Sequence, residues 1–465
     1  MNKQQLRFTH IPKIGVVGGG PGGLMTTYML QKLASCPLNV VLYEASSRLG
    51  GKIQTPQFDA YPVRYEAGAA EFYGYSHFDD DPLRDLIEEL GLPMRPMGGA
   101  SVVMNDRVLG NLDDIREQLG SAAYRSFLQF DRWAKDRMTP LEFYYSDHPE
   151  GATEPTEERR FDSVLANVGE PVAHEYIEKM IHSDLATEPS KTSIAYGLQN
   201  YLMNDPAYMH LYGIEGGNER LVRELTARID ADLRLECPVQ TIERIGSKLR
   251  VTSLVRKEPR EDDFDFIVIA LPHNRLESVT YPGKRLEAAM RSHHAHYNFP
   301  AHYLRITILF ERPFWHSSCA DSYWMLDRFG GCCLYDESSR DPNITQGVLG
   351  WLLAGQAAED MSACTDEELV NQALDSLPGF LQHGRHMMLE ARVHRWIGAV
   401  NAIPGGLQMM NLDRRHQPEP KDHPNLFVVG DYLFDSTLNG VLDSAQYVGA
   451  WLASRLTDFS ESDHR

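Results

Sequence analysis

The sequence predicts an α/β fold, and three observations near its start carry that prediction. Residues 13–17 (KIGVV) form a short apolar run rich in β-branched side chains, which is typical of a strand. The run GGGPGGL at 18–24 then leads into a stretch with Leu and Met at helical spacing. A second strand-like run, NVVLYE, follows at 39–44. Strand, glycine turn, helix and strand in this order indicate a nucleotide-binding β-α-β unit.

The glycine turn carries the first functional signal. Gly18, Gly20 and Gly23 have the G-x-G-x-x-G spacing of dinucleotide-binding turns. The first permits a tight turn, the second lets a pyrophosphate approach the backbone, and the third lets helix and strand pack closely. Glu44 ends the second strand about 20 residues later, where a carboxylate can accept both ribose hydroxyls. The four residues predict a bound dinucleotide without a 2′-phosphate; the simpler alternative is a glycine-rich turn.

Composition and charge exclude several classes of protein. The 465 residues allow two or three domains, and 42% hydrophobic residues argue against a disordered chain. A formal net charge of −20 opposes binding to nucleic acid or to an anionic membrane surface. No apolar run approaches the roughly 20 residues that cross a bilayer, and no export signal is visible. We therefore expect a cytoplasmic protein without a membrane span, and its six cysteines are expected to be reduced.

The segment after Glu44 reads ASSRLGGKIQT, in which Arg48 can neutralise phosphate and Gly50 and Gly51 let the backbone come close. With this segment the chain resembles the flavin-dependent (FAD) amine oxidase superfamily, which includes monoamine oxidases, L-amino acid oxidases and desaturases. Further similar segments occur in the family's order, and they are YEAGAAEFYG (65–74), GIEGGNERLVREL (213–225), DFIVIALP (265–272) and the closing stretch 423–456.

The resemblance implies a fold of two interleaved domains. One is a Rossmann-like FAD-binding domain of the glutathione-reductase type, and the other is a mixed α+β substrate-binding domain. We expect the FAD-binding domain at 1–77, 205–290 and 397–465. The substrate-binding domain is then expected at 78–204 and 291–396. Strand-like and glycine-rich segments cluster in the first set of ranges, and helical patterns dominate the second.

The resemblance also implies further contacts with FAD. Asp431 can hydrogen-bond a hydroxyl of the cofactor, although a plain turn aspartate is the simpler alternative. The helix after it can stabilise negative charge on the flavin through its N-terminus. Ile397 stands where the family has a cysteine when the flavin is covalent, so we expect noncovalent FAD. Besides the residues named above, the implied cofactor-binding residues are Gly68, Ala69, Val239, Gly430, Asp431, Asn439, Gly440 and Val441.

Three residues are expected to be catalytic. The register set by Pro313-Phe314-Trp315 puts Arg305 where the family has a lysine that holds a water against flavin N5. Arginine can hold a water or an anionic substrate group, but it is not equivalent to lysine. Glu71 can anchor a cationic substrate, or it can pair with a nearby arginine. Trp396 follows the family's pattern close to the flavin, with packing as the alternative.

The residues expected around the substrate depart from the family. The two aromatic walls that hold the amine in monoamine oxidases are missing, because Gly398 and Val441 stand at their positions. The candidates for binding the substrate are Tyr73, Trp324, Trp351 and Asn401. Core packing is the alternative role for the two tryptophans.

Two clusters suggest other chemistry at first sight. The histidines between 293 and 302 do not have the spacing of a zinc site, so we expect a solvated histidine-rich loop and no metal. Cys332 and Cys333 are adjacent, but burial as small apolar residues is the commoner state of such thiols. Neither cluster predicts a function.

The expected reaction follows from the resemblance. FAD would take a hydride from a carbon–nitrogen bond of an amine or amino acid, with dioxygen as the next electron acceptor. Because the lysine and the aromatic walls are absent, dehydrogenation of a carbon–carbon bond in a small metabolite is the main alternative. A non-redox FAD isomerase and a flavin-binding protein without turnover are further alternatives. A small molecule and dioxygen are the expected partners, and a homodimer is left open.

Overall fold

The computed structural model of the protein describes residues 11–75, 81–145, 160–319 and 321–462. Its strands, numbered in chain order, are β1 (Lys13–Val17), β2 (Asn39–Tyr43), β3 (Phe72–Tyr75), β4 (Met94–Met97), β5 (Gly99–Met104), β6 (Arg107–Leu109), β7 (Met209–Ile214), β8 (Asp232–Arg234), β9 (Val239–Ile245), β10 (Lys248–Val255), β11 (Glu258–Phe264), β12 (Phe266–Ile269), β13 (Pro300–Phe310), β14 (Tyr323–Leu326), β15 (Cys332–Asp336), β16 (Gly347–Ala354), β17 (Met388–Asn401) and β18 (Leu426–Val428).

The helices are numbered in the same way. They are α1 (Pro21–Leu33), α2 (Pro82–Glu89), α3 (Leu112–Asp114), α4 (Ser121–Arg137), α5 (Pro140–Tyr145), α6 (Phe161–Leu165), α7 (Pro171–Leu185), α8 (Ile194–Leu202), α9 (Glu219–Arg228), α10 (Lys284–Tyr297), α11 (Gly355–Met361), α12 (Asp366–Asp375), α13 (Leu412–His416) and α14 (Leu438–Ser462). Within the described ranges, no helix combines the length and the apolar character that crossing a bilayer requires.

The chain forms two compact units, each built from separate stretches of sequence. The first unit contains the described residues of 1–52, 221–298 and 410–465, and the second contains those of 53–220 and 299–409. These boundaries differ from the predicted domain boundaries.

The differences follow from strand pairing and helix continuity. The second unit includes residues 53–75 and 205–220, since these contain β3 and β7, which pair with each other and, through β7, with β4. Residues 397–409 join it as well, because β17 pairs with β13 up to Asn401. Residues 291–298 belong to the first unit because they continue α10.

The first unit has the predicted nucleotide-binding architecture. Its five-stranded sheet has the order β18-β12-β1-β2-β8, and all four strand pairs are parallel. The strands predicted at 13–17 and 39–44 are confirmed as β1 and β2, and α1 follows the glycine turn. Helices α1 and α14 pack against each other, and β9, β10 and β11 form a separate antiparallel sheet. The α/β prediction with a Rossmann-like domain is therefore confirmed.

The histidine-rich segment of the first unit is a helix with one buried face, so the predicted solvated loop is wrong. His293 and His294 lie on α10 and are both buried. His293 packs against Tyr297 and Tyr432, with ring centroids 4.8 and 6.0 Å apart. Positions 293 and 297 are one helical turn apart, so both face the core. Burial lowers the pKa of His293 to about 3, which keeps its ring neutral.

The main sheet of the second unit has the order β17-β13-β16-β15-β14-β5-β6. Alternate residues of each strand point to opposite sides, and the two sides differ in character. One side, which we name the apolar face, carries Leu304, Ile306, Trp324, Leu334, Trp351 and Leu353, packed with residues of α11 and α12. The other side, which we name the polar face, carries Tyr303, Arg305, Thr307, Tyr323, Tyr335 and Trp396 by strand register.

Candidate active site

The glycine turn of the first unit is closed by backbone contacts that exclude side chains. Gly18 has φ +114°, its N–H donates to Tyr43 O at 2.8 Å, and an added Cβ would lie 2.4 Å from Ala270 O. A Cβ on Gly23 would lie 2.0 Å from Gly18 O. Gly20 is different, because a Cβ there would meet nothing closer than the Cα of Gly51, at 3.8 Å. The structure thus leaves the backbone open at Gly20, where a pyrophosphate is expected to approach.

Glu44 is held at the end of β2 beside this turn. Its Oε2 accepts the Gly19 N–H at 3.0 Å, and its Oε1 accepts the N–H and O–H of Ser46 at 2.8 and 2.7 Å. The spacing rule did not single out Gly19, yet a Cβ there would lie 2.5 Å from the Leu49 side chain. The carboxylate is therefore oriented before any ribose arrives.

The R-x-G-G segment lies against the glycine turn. Gly50 N–H donates to Gly19 O at 2.8 Å, and Gly50 and Gly51 have φ +104° and +53°. The Arg48 guanidinium donates to Leu49 O at 3.2 Å and to Gly51 O at 2.6 Å. Arg48 thus fixes the loop in addition to the phosphate role that the sequence predicts for it.

Asp431 follows β18 and is buried, with a partner that the sequence analysis missed. Lys52 Nζ lies 2.5 Å from Asp431 Oδ2, and the Tyr432 N–H donates to Asp431 Oδ1 at 2.9 Å. Gly430 has to be glycine, because a Cβ would lie 2.4 Å from the Tyr432 ring. Lys52 directly follows the R-x-G-G glycines, and this position is the signal that could have identified it.

The remaining predicted cofactor residues of the first unit lie at the start of α14 and at the start of β9. Gly440 lies in the first turn of α14, where a Cβ would come within 2.2 Å of Asp435 Oδ1. Its neighbours Asn439 and Val441 are buried. Val239 begins β9, close to the point where Cys237 N–H donates to Glu44 O at 2.9 Å. An open glycine turn, a helix N-terminus and an oriented carboxylate together fit an adenine dinucleotide.

Arg305 in the second unit is part of a buried ion pair. Its side chain is fully buried on β13, Nη2 donates to Glu337 Oε1, and the guanidinium lies 4.9 Å from the Tyr335 ring centroid. Its Nε and Nη1 are buried and have no hydrogen-bond partner among the described residues. Arg305 is therefore neutralised by a carboxylate, and it retains two donors for a further acceptor.

Glu337 connects Arg305 to a larger polar network. Arg340 Nε donates to Glu337 Oε2 at 2.7 Å, and the Glu66 N–H approaches the same oxygen at 3.4 Å. Glu66 is itself buried and accepts the Thr55 O–H at 2.9 Å and the Asn218 N–H at 2.8 Å. Burial raises the pKa of Glu66 to about 7. None of these partners could be found from the sequence, because no spacing rule links residues so far apart in the chain.

Glu71 lies among these charges. Its Oε2 is buried and has no hydrogen-bond partner in the described structure. Burial raises the pKa of Glu71, while the nearby Arg305 and Arg340 charges and a hydrogen bond from Tyr335 oppose this shift. Glu71 thus lies within electrostatic range of two arginines, and both of its predicted roles stay predictions.

Trp396 fixes the segment that contains Gly68 and Ala69. Its Nε1 donates to Ala67 O at 2.7 Å, and Asn218 Nδ2 donates to Ala69 O at 2.9 Å. Gly68 and Ala69 are half-buried. Trp396 pairs with Tyr303 across β17 and β13, so it lies on the polar face.

The substrate-binding candidates separate by face. Trp324 and Trp351 are buried on the apolar face, which supports core packing rather than contact with the substrate. Trp351 Nε1 donates to Ser376 Oγ at 3.0 Å, which satisfies its polar atom. Tyr73 is half-buried near Glu71. Asn401 is buried at the end of β17, where its Oδ1 accepts the Ile403 N–H at 2.8 Å in a local turn.

Comparison with known proteins agrees with this description. A family model for flavin-containing amine oxidoreductases matches residues 21–449. The solved structures of a cyclohexylamine oxidase from Brevibacterium oxydans IH-35A and of a putrescine oxidase bound to putrescine are each 18% identical to this chain. Each match covers 96% of this chain and 100% of the other, with TM-scores of 0.73 and 0.70.

A curated relative is similar over a shorter segment. Polyamine oxidase 3 from Oryza sativa subsp. japonica is 32% identical over 103 residues, which are 22% of this chain and 20% of the relative. The chain thus matches about a fifth of that relative's length. The family model, by contrast, spans most of the chain and both of its units. The chain belongs to the flavin-containing amine oxidoreductase family and is an FAD-dependent oxidoreductase.

Proposed function

We propose that this chain oxidises a small amine at its carbon–nitrogen bond and passes the electrons to dioxygen. The observation that carries the proposal is the charge balance of the second unit near the polar face. Arg305 and Arg340 lie there with four carboxyl groups, those of Glu66, Glu71, Asp184 and Glu337. The carboxyl groups outnumber the arginines, and those that burial keeps protonated can ionise when a cation binds, which favours a positively charged substrate over a carboxylate.

Bound FAD would supply the redox chemistry by accepting a hydride at N5. The protein's own residues would hold the dinucleotide through the glycine turn, Glu44 and the start of α14. In the second unit, Trp396 and Tyr303 would present a fixed surface to the substrate. The Nε and Nη1 donors of Arg305 are suited to hold a water, which keeps the role that the sequence predicts for this position.

We propose that the flavin is noncovalent. Ile397 occupies the position where the family has a cysteine in its covalent members, and isoleucine offers no nucleophile. The measurement is the release of yellow FAD into the supernatant when the protein is denatured and precipitated. Colour that stays with the precipitate would contradict the proposal.

Dehydrogenation of a carbon–carbon bond is the second candidate. The observation that favours it is the buried ion pair of Arg305 with Glu337, since the strand has no lysine at this position. The residues on the polar face would then bind the substrate without removing a proton from an amine.

One experiment separates the two candidates. Amines, and small metabolites that have a carbon–carbon single bond to dehydrogenate, are each mixed with the yellow protein without air. Bleaching of the flavin is followed at its visible absorption band. We expect amines to bleach it and air to restore the colour with release of peroxide. Bleaching by non-amines alone would support the second candidate. Bleaching by neither class would contradict both.

A matched pair of variants tests the assigned dinucleotide site. In Gly23→Ala the new Cβ would lie 2.0 Å from Gly18 O, so we expect loss of bound FAD. In Gly22→Ala the nearest atom would lie 3.5 Å away, so we expect FAD content to stay as in the unaltered protein. The measurement is the ratio of flavin to protein absorbance after purification. Equal flavin content in both variants would contradict the assignment.

A further inference from the structure

A chain of three hydrogen bonds in the first unit joins α13 to the residue before Asp431. Gly430 N–H donates to Ser444 Oγ on α14 at 3.2 Å. The same Oγ lies 3.0 Å from His416 Nε2, and His416 Nδ1 lies 2.8 Å from Leu412 O. Both side chains of the chain, Ser444 and His416, are fully buried, so bulk water does not compete for these bonds.

The direction of each bond in this chain is fixed. A carbonyl oxygen can only accept, so His416 Nδ1 carries the proton that it donates to Leu412 O. Burial lowers the pKa of His416 to about 4, so its ring is neutral at pH 7 and Nε2 can only accept. Ser444 therefore donates its hydroxyl proton to His416 Nε2 and accepts the Gly430 N–H. His416 thus determines the orientation of the Ser444 hydroxyl group.

The ring of His416 is itself held in place by aromatic neighbours. It stacks on the Tyr447 ring, with centroids 4.6 Å apart and an interplanar angle of 28°. The Tyr447 hydroxyl donates to Asp413 Oδ1, and the Phe434 ring centroid lies 5.8 Å from that of His416. An imidazole fixed on its faces in this way can orient the groups that it bonds to.

The residue before His416 contacts the other end of the same segment. Arg415 Nη1 donates to Leu433 O at 3.3 Å. Leu433 ends the short helical turn that Asp431 begins, and Gly430 directly precedes it. Consecutive residues of α13 therefore brace the segment that presents Asp431, one at its end and the other, through α14, at its start.

This segment lies at the edge of the sheet where a dinucleotide is expected. Asp431 lies just beyond the carboxyl end of β18, and ligands of parallel α/β sheets bind outside the carboxyl ends of the strands. Its Oδ2 lies 2.5 Å from Lys52 Nζ. Close to Lys52 in the chain, Gly50 N–H donates to Gly19 O of the glycine turn at 2.8 Å. Contacts within the first unit thus place Asp431 beside the glycine turn.

We propose that His416 and Ser444 are positioning residues for FAD, which fix Gly430 and so hold Asp431 in the orientation that binds the cofactor. Neither side chain has to touch FAD. Without the chain of bonds, the segment has to be ordered when FAD binds, and this ordering weakens the affinity. The inference rests on the contact of Asp431 with FAD that the sequence predicts. It goes beyond the proposed function, because it holds whichever bond of the substrate is oxidised.

Two substitutions of His416 separate its two hydrogen bonds. In His416→Gln the amide oxygen can take the place of Nε2 and accept from Ser444, so we expect the dissociation constant of FAD to stay within about threefold. In His416→Asn the shorter amide can bond to Leu412 O but does not reach Ser444, which leaves a buried hydroxyl without an acceptor. We expect the constant to rise about tenfold and the visible spectrum of the bound flavin to shift. The FAD-loaded protein is diluted, and released FAD is separated by ultrafiltration and measured.

Two serines of α14 give a matched pair. Ser444→Ala leaves the Gly430 N–H without its acceptor, so we again expect a rise of about tenfold in the dissociation constant of FAD. Ser454→Ala is the control, since Ser454 is exposed and its hydroxyl donates to Trp451 O of its own helix. Its dissociation constant and flavin spectrum should equal those of the unaltered protein.

The tautomer of His416 gives a readout that packing alone does not fix. It is measured in a two-dimensional nitrogen–proton spectrum of the histidine side chains of the FAD-loaded protein. The signal that disappears in His416→Gln belongs to His416. We expect a ring that is protonated at Nδ1 and bare at Nε2, as the chain of bonds requires.

The outcomes keep this inference separate from the proposed function. Unchanged FAD affinity in either His416→Asn or Ser444→Ala would overturn it, and so would a His416 ring protonated at Nε2. Equal losses in His416→Gln and His416→Asn would also contradict it, since the acceptor would then have no influence. If His416→Asn or Ser444→Ala does not fold, the tautomer and the affinity of His416→Gln still decide. Failure of amines to bleach the flavin would count against the proposed function alone.

Discussion

The two faces of the seven-stranded sheet are made by the same strands, yet they have opposite chemistry. On β13, Leu304 and Ile306 point to the apolar face, whereas Tyr303 and Arg305 point to the polar face. The apolar face is packed by residues of α11 and α12. The polar face has a buried ion pair beside it, together with carboxyl groups whose pKa values are raised by burial. A shift by one residue thus decides whether a side chain stabilises the sheet or serves the site.

The largest expected effect comes from breaking the ion-pair network of the polar face. Glu337→Gln removes the charge that faces both Arg305 and Arg340. Leaving buried charges uncompensated costs about 3–5 kcal/mol, so we expect the free energy of unfolding to fall by that amount. Urea denaturation of the unaltered protein and of the variant measures this fall in the free energy of unfolding. The control is Glu359→Gln, an exposed acid, which should change the value by less than about 0.5 kcal/mol. A loss as small as the control's would contradict the network.

Glu66 should make the free energy of unfolding depend on pH. The pKa of Glu66 is raised by burial from 4.5 to about 7, so the folded protein keeps a proton that the unfolded chain has lost. This group therefore lowers stability as the pH rises from about 4.5 to about 7, by about 2–3 kcal/mol in total.

The measurement compares unfolding free energies at pH 5 and pH 8 in the unaltered protein and in Glu66→Gln. We expect the unaltered protein to lose about 2–3 kcal/mol more than the variant over this range. The buried His273, His293 and His416 have lowered pKa values and act in the opposite sense below about pH 6.5. They are present in both proteins, so they cancel in the comparison. Parallel pH curves would contradict the assignment.

The tryptophans give a matched pair across the sheet. Trp351→Phe on the apolar face leaves a small cavity and removes the hydrogen bond to Ser376, so we expect a loss of about 1–3 kcal/mol in stability. Its KM for an amine that bleaches the flavin should stay unchanged. A large change in KM with little loss of stability would restore Trp351 as a substrate residue.

Trp396→Phe should have the smallest effect on stability and a clearer effect on function. The variant loses the hydrogen bond to Ala67 O from a half-buried position, which costs about 1 kcal/mol. Because Trp396 holds the segment with Gly68 and Ala69, we expect a shifted visible spectrum of the bound flavin and an altered KM. An unchanged spectrum and KM would show that Trp396 only packs.

Sequence spacing is able to predict a dinucleotide site because the parts of such a site are close in the chain. Gly18, Gly23 and Glu44 act through one turn and one strand, so local rules describe them completely. Lys52 was missed although it adjoins the glycines, since its partner Asp431 lies near the other end of the chain.

The polar face could not be predicted in the same way. Arg305, Arg340 and Glu66 meet at Glu337 only after strands pair across long stretches of sequence. The alternation of polar and apolar residues in HYLRITILF does predict that Arg305 and its neighbour Ile306 point to different faces of the sheet. The apolar run GVLGWLLA around Trp351 contains no such alternation, so only its observed register with β13 and β15 reveals which face Trp351 occupies.

The order of the strands in the first unit has a consequence for synthesis on the ribosome. Its parallel sheet ends with β18, which pairs with β12, and α14 then packs on α1. Until residues 426–428 have been translated, β12 presents an unpaired edge to the surroundings. Nascent chains that stall between these two strands are therefore expected to aggregate or to recruit chaperones, whereas chains released with α14 complete the sheet.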